Sequence, residues 1–170
     1  MSNAYKIGLT ACALFVATAA AASAADLSPG TNGIFAIVTQ STCGALSPSL
    51  KLGSTTLSTI EFPGPGKVAT LVSPGTTSTS KPGTATTSVC VGEKAVPSTG
   101  LNGATVTFAC YGDTASGPAK SKQATIKSTF KIGASHAKGV EQLTVKSSLF
   151  IGTAATPTCT FTSDGTAILQ

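Results

Sequence analysis

The chain has 170 residues, 41% hydrophobic, 5% aromatic and only 10% charged, with eleven basic residues against six acidic ones and a formal net charge of +5. Every basic residue is lysine and there is no tryptophan. That composition argues against specific nucleic-acid readout, which draws on arginine forks and stacking aromatics, and against a sugar site built on exposed Trp or Tyr rings.

Residues 1–25 have the layout of a cleavable secretory signal peptide. Lys6 is the sole charge, an Ala-rich apolar run follows from Ile7 to Ala22, and Ala22-Ser23-Ala24 supplies small residues for cleavage after Ala24 or Ala25. Leu9-Thr10-Ala11-Cys12 also fits a lipoprotein box, but the apolar run continues beyond Cys12 instead of ending before it. The run is shorter than the ~20 residues a spanning helix needs. The expected product is an exported chain, 26–170, the size of one ordinary domain. It carries ten lysines and six carboxylates and no transmembrane segment. Its destination is periplasmic, cell-surface or extracellular.

From there the chain reads as short strands divided by turn signals. Pro29-Gly30 introduces a strand over residues 34–39, and Cys43 follows it. Strands over 55–62 and 67–72 are separated by Pro63-Gly64-Pro65-Gly66. Residues 73–88 are Thr/Ser-rich with two Pro-Gly pairs and read as a long solvated loop. A strand over 88–91 carries Cys90, and one over 104–111 aligns Val106, Phe108 and Cys110 on one face. Over 124–132, Ile126, Phe130 and Ile132 alternate with Thr125, Lys127, Thr129 and Lys131. Over 141–151, Leu143, Val145, Leu149 and Ile151 share a side. A strand over 158–162 turns inward Cys159 and Phe161, and Asp164-Gly165 predicts a hairpin into 167–169. About eight short antiparallel strands at this spacing predict an all-β sandwich.

Four cysteines remain after export: Cys43, Cys90, Cys110 and Cys159. Structural zinc sites bring their ligands in close pairs. None is close here, so two disulfides are the expectation. An internal likeness bears on their pairing. The segment 83–90 recurs as 152–159, 36–39 as 104–107, Cys43 as Cys110 and Phe62 as Phe130, all at offsets of 67–69 residues. Chance likeness in so Thr- and Ala-rich a chain is the alternative. Two half-units, about 34–92 and 104–163, predict Cys43–Cys90 and Cys110–Cys159 by symmetry. A sandwich without that symmetry is free to join Cys90 to Cys110 and Cys43 to Cys159.

Catalytic signals are faint. The sole histidine, His136, sits in Gly133-Ala134-Ser135-His136-Ala137-Lys138-Gly139. Ser135 there loosely matches a nucleophile elbow, but no helix follows, as that device requires. A Ser-His-Asp set with Asp113 or Asp164 is conceivable, yet a glycine-flanked exposed turn explains the segment. The carboxylates Asp26, Glu61, Glu93, Asp113, Glu141 and Asp164 are scattered, and no metal-ligand spacing, phosphate loop or dinucleotide fingerprint is present. No catalytic residue, metal or cofactor is expected.

Lys120, Lys122, Lys127, Lys131, Lys138 and Lys146 make the second half basic, opposed there by Glu141. They form a candidate anion-binding surface for an acidic polymer or an anionic membrane. Lysines on the wet side of strands also discourage edge-to-edge aggregation, which is the structural reading of the same residues. In composition alone the chain is similar to exported subunits of bacterial surface fibres. The leading expectation is a non-catalytic structural or adhesive protein of the cell envelope or exterior, associating with itself through strand edges or with other envelope or extracellular proteins. The alternative is a soluble periplasmic or secreted binding module for a ligand or acidic polymer.

Overall fold

Residues 26–73, 88–114, 117–118, 121–133, 140–151 and 156–169 are described by the computed structural model. The alternating runs form β1 (Gly30–Ser41), β2 (Thr55–Phe62), β3 (Thr70–Ser73), β4 (Ser88–Gly92), β5 (Thr105–Thr114), β6 (Gly117–Pro118), β7 (Ala124–Ile132), β8 (Val140–Ile151) and β9 (Cys159–Leu169). β-branched and aromatic residues recur along them, as a pleated, half-buried surface favours. One 3-10 turn, Pro48–Leu50, is the only helical element among the described residues.

All pairings are antiparallel, and each long strand lies beside the one before it. β9 then pairs with β1, from Asn32 opposite Leu169 to Ser41 opposite Phe161. Eight strands thus close into an up-and-down barrel, with β6 a two-residue flap on the end of β5. This corrects the expected sandwich. Both architectures need the same inside–outside alternation, so the alternation cannot choose between them. The choice falls to whether the last strand reaches the first.

The β9 pairing also corrects a second expectation. Asp164-Gly165 is no hairpin; β9 runs unbroken through it. A Cβ on Gly165 would collide with the Phe35 carbonyl and with Ala36. Glycine at this inward position lets β1 approach closely, which is its other common use within a strand. The strand expected from residue 67 starts instead at Thr70, because Lys67 and Gly66 bond to Val96 outside the sheet.

Inside the barrel, Ile34, Ile60, Phe62, Cys90, Val106, Phe108, Phe130, Ile132 and Leu143 form the core. The Phe108 and Phe130 rings meet edge to face with centroids 6.4 Å apart. On the outer face of β7 and β8, Lys127, Lys131 and Lys146 are exposed. Over β7 and β8 the outer face is thus cationic, unlike the apolar band of a lipid-embedded barrel. No helix among the described residues is long and apolar enough to cross a membrane.

The disulfides are Cys43–Cys159 and Cys90–Cys110, separated by 116 and 20 residues along the chain. The symmetric pairing Cys43–Cys90 and Cys110–Cys159 is therefore incorrect. Cys90 and Cys110 stand directly opposite each other on β4 and β5, both facing inward. Cys43 follows β1 and reaches the start of β9. Each bridge thus spans a seam where the first four strands meet the later ones. Closure brought together cysteines that a half-by-half reading kept apart. Two disulfides point to a non-reducing, exported environment.

Candidate functional site: the open end of the barrel

The two ends of the barrel are built differently. At the end where β1, β3, β5 and β8 begin, the segment before β1 and the loop between β4 and β5 fold across the opening. Leu27, Val96 and Leu101 are fully buried there, over Phe62. Asp26 fixes the seal: its carboxylate accepts hydrogen bonds from the Leu101 N–H at 2.8 and 3.0 Å and from the Asn102 N–H at 2.8 Å. Gly100, at φ +96°, makes room for it, since a Cβ would occupy the carboxylate's place. Asn102 in turn accepts the Ile132 N–H at 3.0 Å. The Ser28 hydroxyl donates to buried Glu141 at 3.0 Å, and the Asn32 amide donates to the Ser28 and Gly30 carbonyls.

At the other end the inward faces are not covered to the same degree. Residues paired across the ladder point the same way, so the register fixes which side chains face the interior. Cys110 faces Ala124, which faces Ile151; Phe108 faces Ile126, which faces Leu149. Buried Ser147 faces Phe161. Ala124, Ile126, Leu149 and Phe161 are nonetheless only partly buried, and Ile151 is 49% exposed. Leu71 and Ser58, on the inward faces of β3 and β2, are also partly exposed. One sector of this end is closed. There Thr42 and Thr160 bond reciprocally, and the Cys43–Cys159 bridge and Val38 are buried. Among the described residues no such closure is seen on the β2–β3–β4–β5–β7–β8 side, whose connecting segments 74–87, 115–116, 119–120 and 152–155 lie outside the described residues.

The polar groups at this end include serine hydroxyls and the Gln123 amide, which occupies the place a side chain on Gly112 would take, opposite Ser88. Ser58 Oγ donates to Ser73 Oγ at 3.4 Å, and Ser73 stands opposite Ser88 in the β3–β4 ladder. Deeper, Ser128 and Ser147 face each other across β7 and β8 and share a 2.7 Å hydrogen bond, both buried. That bond satisfies two hydroxyls which would otherwise be costly inside the barrel. These serines carried a readable signal in the sequence. Ser128 interrupts the apolar face Ile126, Phe130, Ile132, and Ser147 interrupts Val145, Leu149, each at an inward position. What the strands alone could not show is that the two interruptions meet.

The expected basic surface is placed in part. Lys127 and Lys131 flank Thr129, which is paired with Lys146, so these three lysines form a triangle on the outer face of β7 and β8. Lys122 is bound elsewhere, to Glu93 at 2.9 Å. Lys120 and Lys138 lie outside the described residues, as do Ser135, His136, residues 74–87 and the whole of 1–25. An open groove of about 470 Å³ lies outside the barrel beside Lys127, lined also by Glu93, Lys94, Thr105 and Thr107. Its charges are mixed. The remaining carboxylates serve separate surroundings: Asp26 the seal, Glu141 the interior of the sealed end, Glu61 and Asp164 the exposed surface, while the side chain of Asp113 lies outside the description. Among the described residues no group of three metal-ligating side chains comes together.

Of the six phenylalanines from 26 onward, read as mostly core, Phe62, Phe108 and Phe130 are buried and Phe161 faces the mouth. Phe35 stands on the outside, opposite Leu57, with 48% and 61% of their surfaces exposed. Compared with family models, with curated proteins and with solved structures, the chain matches none.

Proposed function

We propose that this protein is an exported, non-catalytic binding module that takes a small ligand into the open end of its barrel. One observation carries the reading: among the described residues, inward side chains are sealed at one end and partly exposed at the other. An eight-stranded barrel has an interior just wide enough either to be filled by side chains or to hold one small ligand. Here the sealed half follows the first course and the open half is suited to the second.

A structural or adhesive role has one supporting feature, the outward apolar strip formed by Phe35, Ile37, Leu57 and Ile168 on neighbouring strands β1, β2 and β9. Assembly through strand edges, by contrast, has little to use. Barrel closure pairs the flanks of the eight long strands with one another. Native mass spectrometry of protein recovered from an exported fraction separates the two roles. A binding module travels as a monomer with a small-molecule adduct. Ordered multimers with no adduct would displace this reading in favour of the structural one.

A further inference from the structure

Apart from the open end, we propose that the groove outside the barrel beside Lys127 is a second site, which binds an acidic glycan through its carboxylates. The connection between β4 and β5 makes this groove. Its Glu93 N–H donates to the Thr107 carbonyl of β5 at 2.8 Å, and its Val96 N–H to the Lys67 carbonyl at 2.8 Å. Pinned at these two points, residues 93–95 face the outer wall that carries Thr105, Thr107 and Lys127 across about 470 Å³. That volume falls within the roughly 300–1,000 Å³ of small-molecule sites and suits one sugar residue of a chain.

Pairing decides the sign of the groove. Glu93 is held by Lys122 at 2.9 Å, so its charge is answered from within the protein. Lys94 and Lys127 have no ion-pair partner among the described residues, which leaves the groove two uncompensated cations. Positive charge continues beyond it: Thr105 is paired with Thr129, and Thr129 with Lys146. Lys131 lies four residues along β7 from Lys127, roughly 13 Å in an extended strand. Asp164, across Thr144 from Lys131, marks the far edge of this basic field. A small anion cannot span that line, whereas a chain with repeated acid groups can.

Hydroxyls favour a glycan among such chains. Thr107 lines the groove, and Thr105 shares a 2.8 Å hydrogen bond with Thr129 that leaves acceptor lone pairs for a ligand. Sugar hydroxyls meet these groups as donors or as acceptors. An acidic peptide has less to use, because β5 and β7 are bonded to strands on both sides and offer its backbone no edge. Recognition runs through charge and hydroxyls without ring stacking, in keeping with a chain that lacks tryptophan.

The test titrates the purified protein calorimetrically with oligogalacturonate, with its neutral methyl ester, and with oligoglutamate and polyphosphate of matched charge. Oligogalacturonate should bind at least about tenfold more tightly than the ester and weaken steeply as salt rises. Lys94→Gln and Lys127→Gln should each weaken it about three- to fivefold, and together about tenfold or more. Lys51→Gln removes the same charge at the connection between β1 and β2, and should change the affinity less than about twofold. A loss at Lys51 equal to that at Lys127 would reduce the binding to net charge and overturn the site. Ester binding as tightly as the acid would overturn the role of the lysines. Oligoglutamate or polyphosphate binding as tightly as oligogalacturonate would overturn the glycan class. Failure of every probe to bind would overturn the proposal entirely, and would leave the small-ligand reading of the open end standing.

Discussion

The sealed and open ends of this barrel use the same strands in opposite ways. At the sealed end, backbone amides of the β4–β5 loop converge on Asp26, and Leu27, Val96 and Leu101 exclude water from the core beneath. At the open end the strands continue, but their inward residues are serines and moderate-sized apolar side chains that stay partly wet. Under the proposed function, stability and binding are thereby separated in space. A half that is fully packed tolerates little change, and a half that retains access to water has room to exchange water for a ligand.

The contrast can be broken most severely at the sector where the open end is closed. Replacing Cys43 and Cys159 together by serine removes a bridge across 116 residues, worth about 5 kcal/mol in the chain-entropy account. Denaturant unfolding should show that loss. A change below about 1 kcal/mol would mean that the Thr42–Thr160 seam holds this sector without the bridge. Next in size, Phe108→Ala in the fully buried half should cost roughly 3–5 kcal/mol. Leu71→Ala on the accessible wall should cost about 1 kcal/mol or less, because the space it leaves opens to water. Equal costs at the two positions would contradict the division into packed and open halves.

The seal itself is sharpened by Asp26→Ala, which strips the partners from the Leu101 and Asn102 amides. A loss of about 1–3 kcal/mol is expected, with faster hydrogen exchange at those amides than at the Ser128–Ser147 level. Uniform acceleration along the barrel would show that Asp26 does not act locally. Smallest of all, Lys127→Ala, Lys131→Ala and Lys146→Ala should each shift stability by no more than about 0.5 kcal/mol, since all three are exposed. Any polyanion binding through them should weaken steeply with salt, exposed charges being screened within about 8 Å at physiological ionic strength. Salt-insensitive binding would instead mark a specific site on that face.

Much of the strand pattern was legible because the period-two alternation is local. Residues 55–62 and 124–132 form strands at the expected bounds, and the inward faces of β5, β7 and β8 follow the expected residues. Gly165 was misread because the same residue serves a turn and a close backbone approach, and only the presence of β1 beside it distinguishes them. Asp26 could not be picked out at all. Its partners lie 75 and 76 residues away on backbone amides, which leave no trace in side-chain type.

The sequence by itself determined the alternation, the number of long strands, the even count of cysteines and the outward placement of lysines along β7. Each depends on neighbours within a few residues. Tertiary structure alone decided that β9 meets β1, and with that contact the barrel, the disulfide pairing and the unequal ends follow together. Barrel closure is a pairing between residues more than a hundred positions apart, and its hydrogen bonds run through backbone groups that every residue shares. Nothing in side-chain order encodes it until the chain has folded far enough for the two strands to meet.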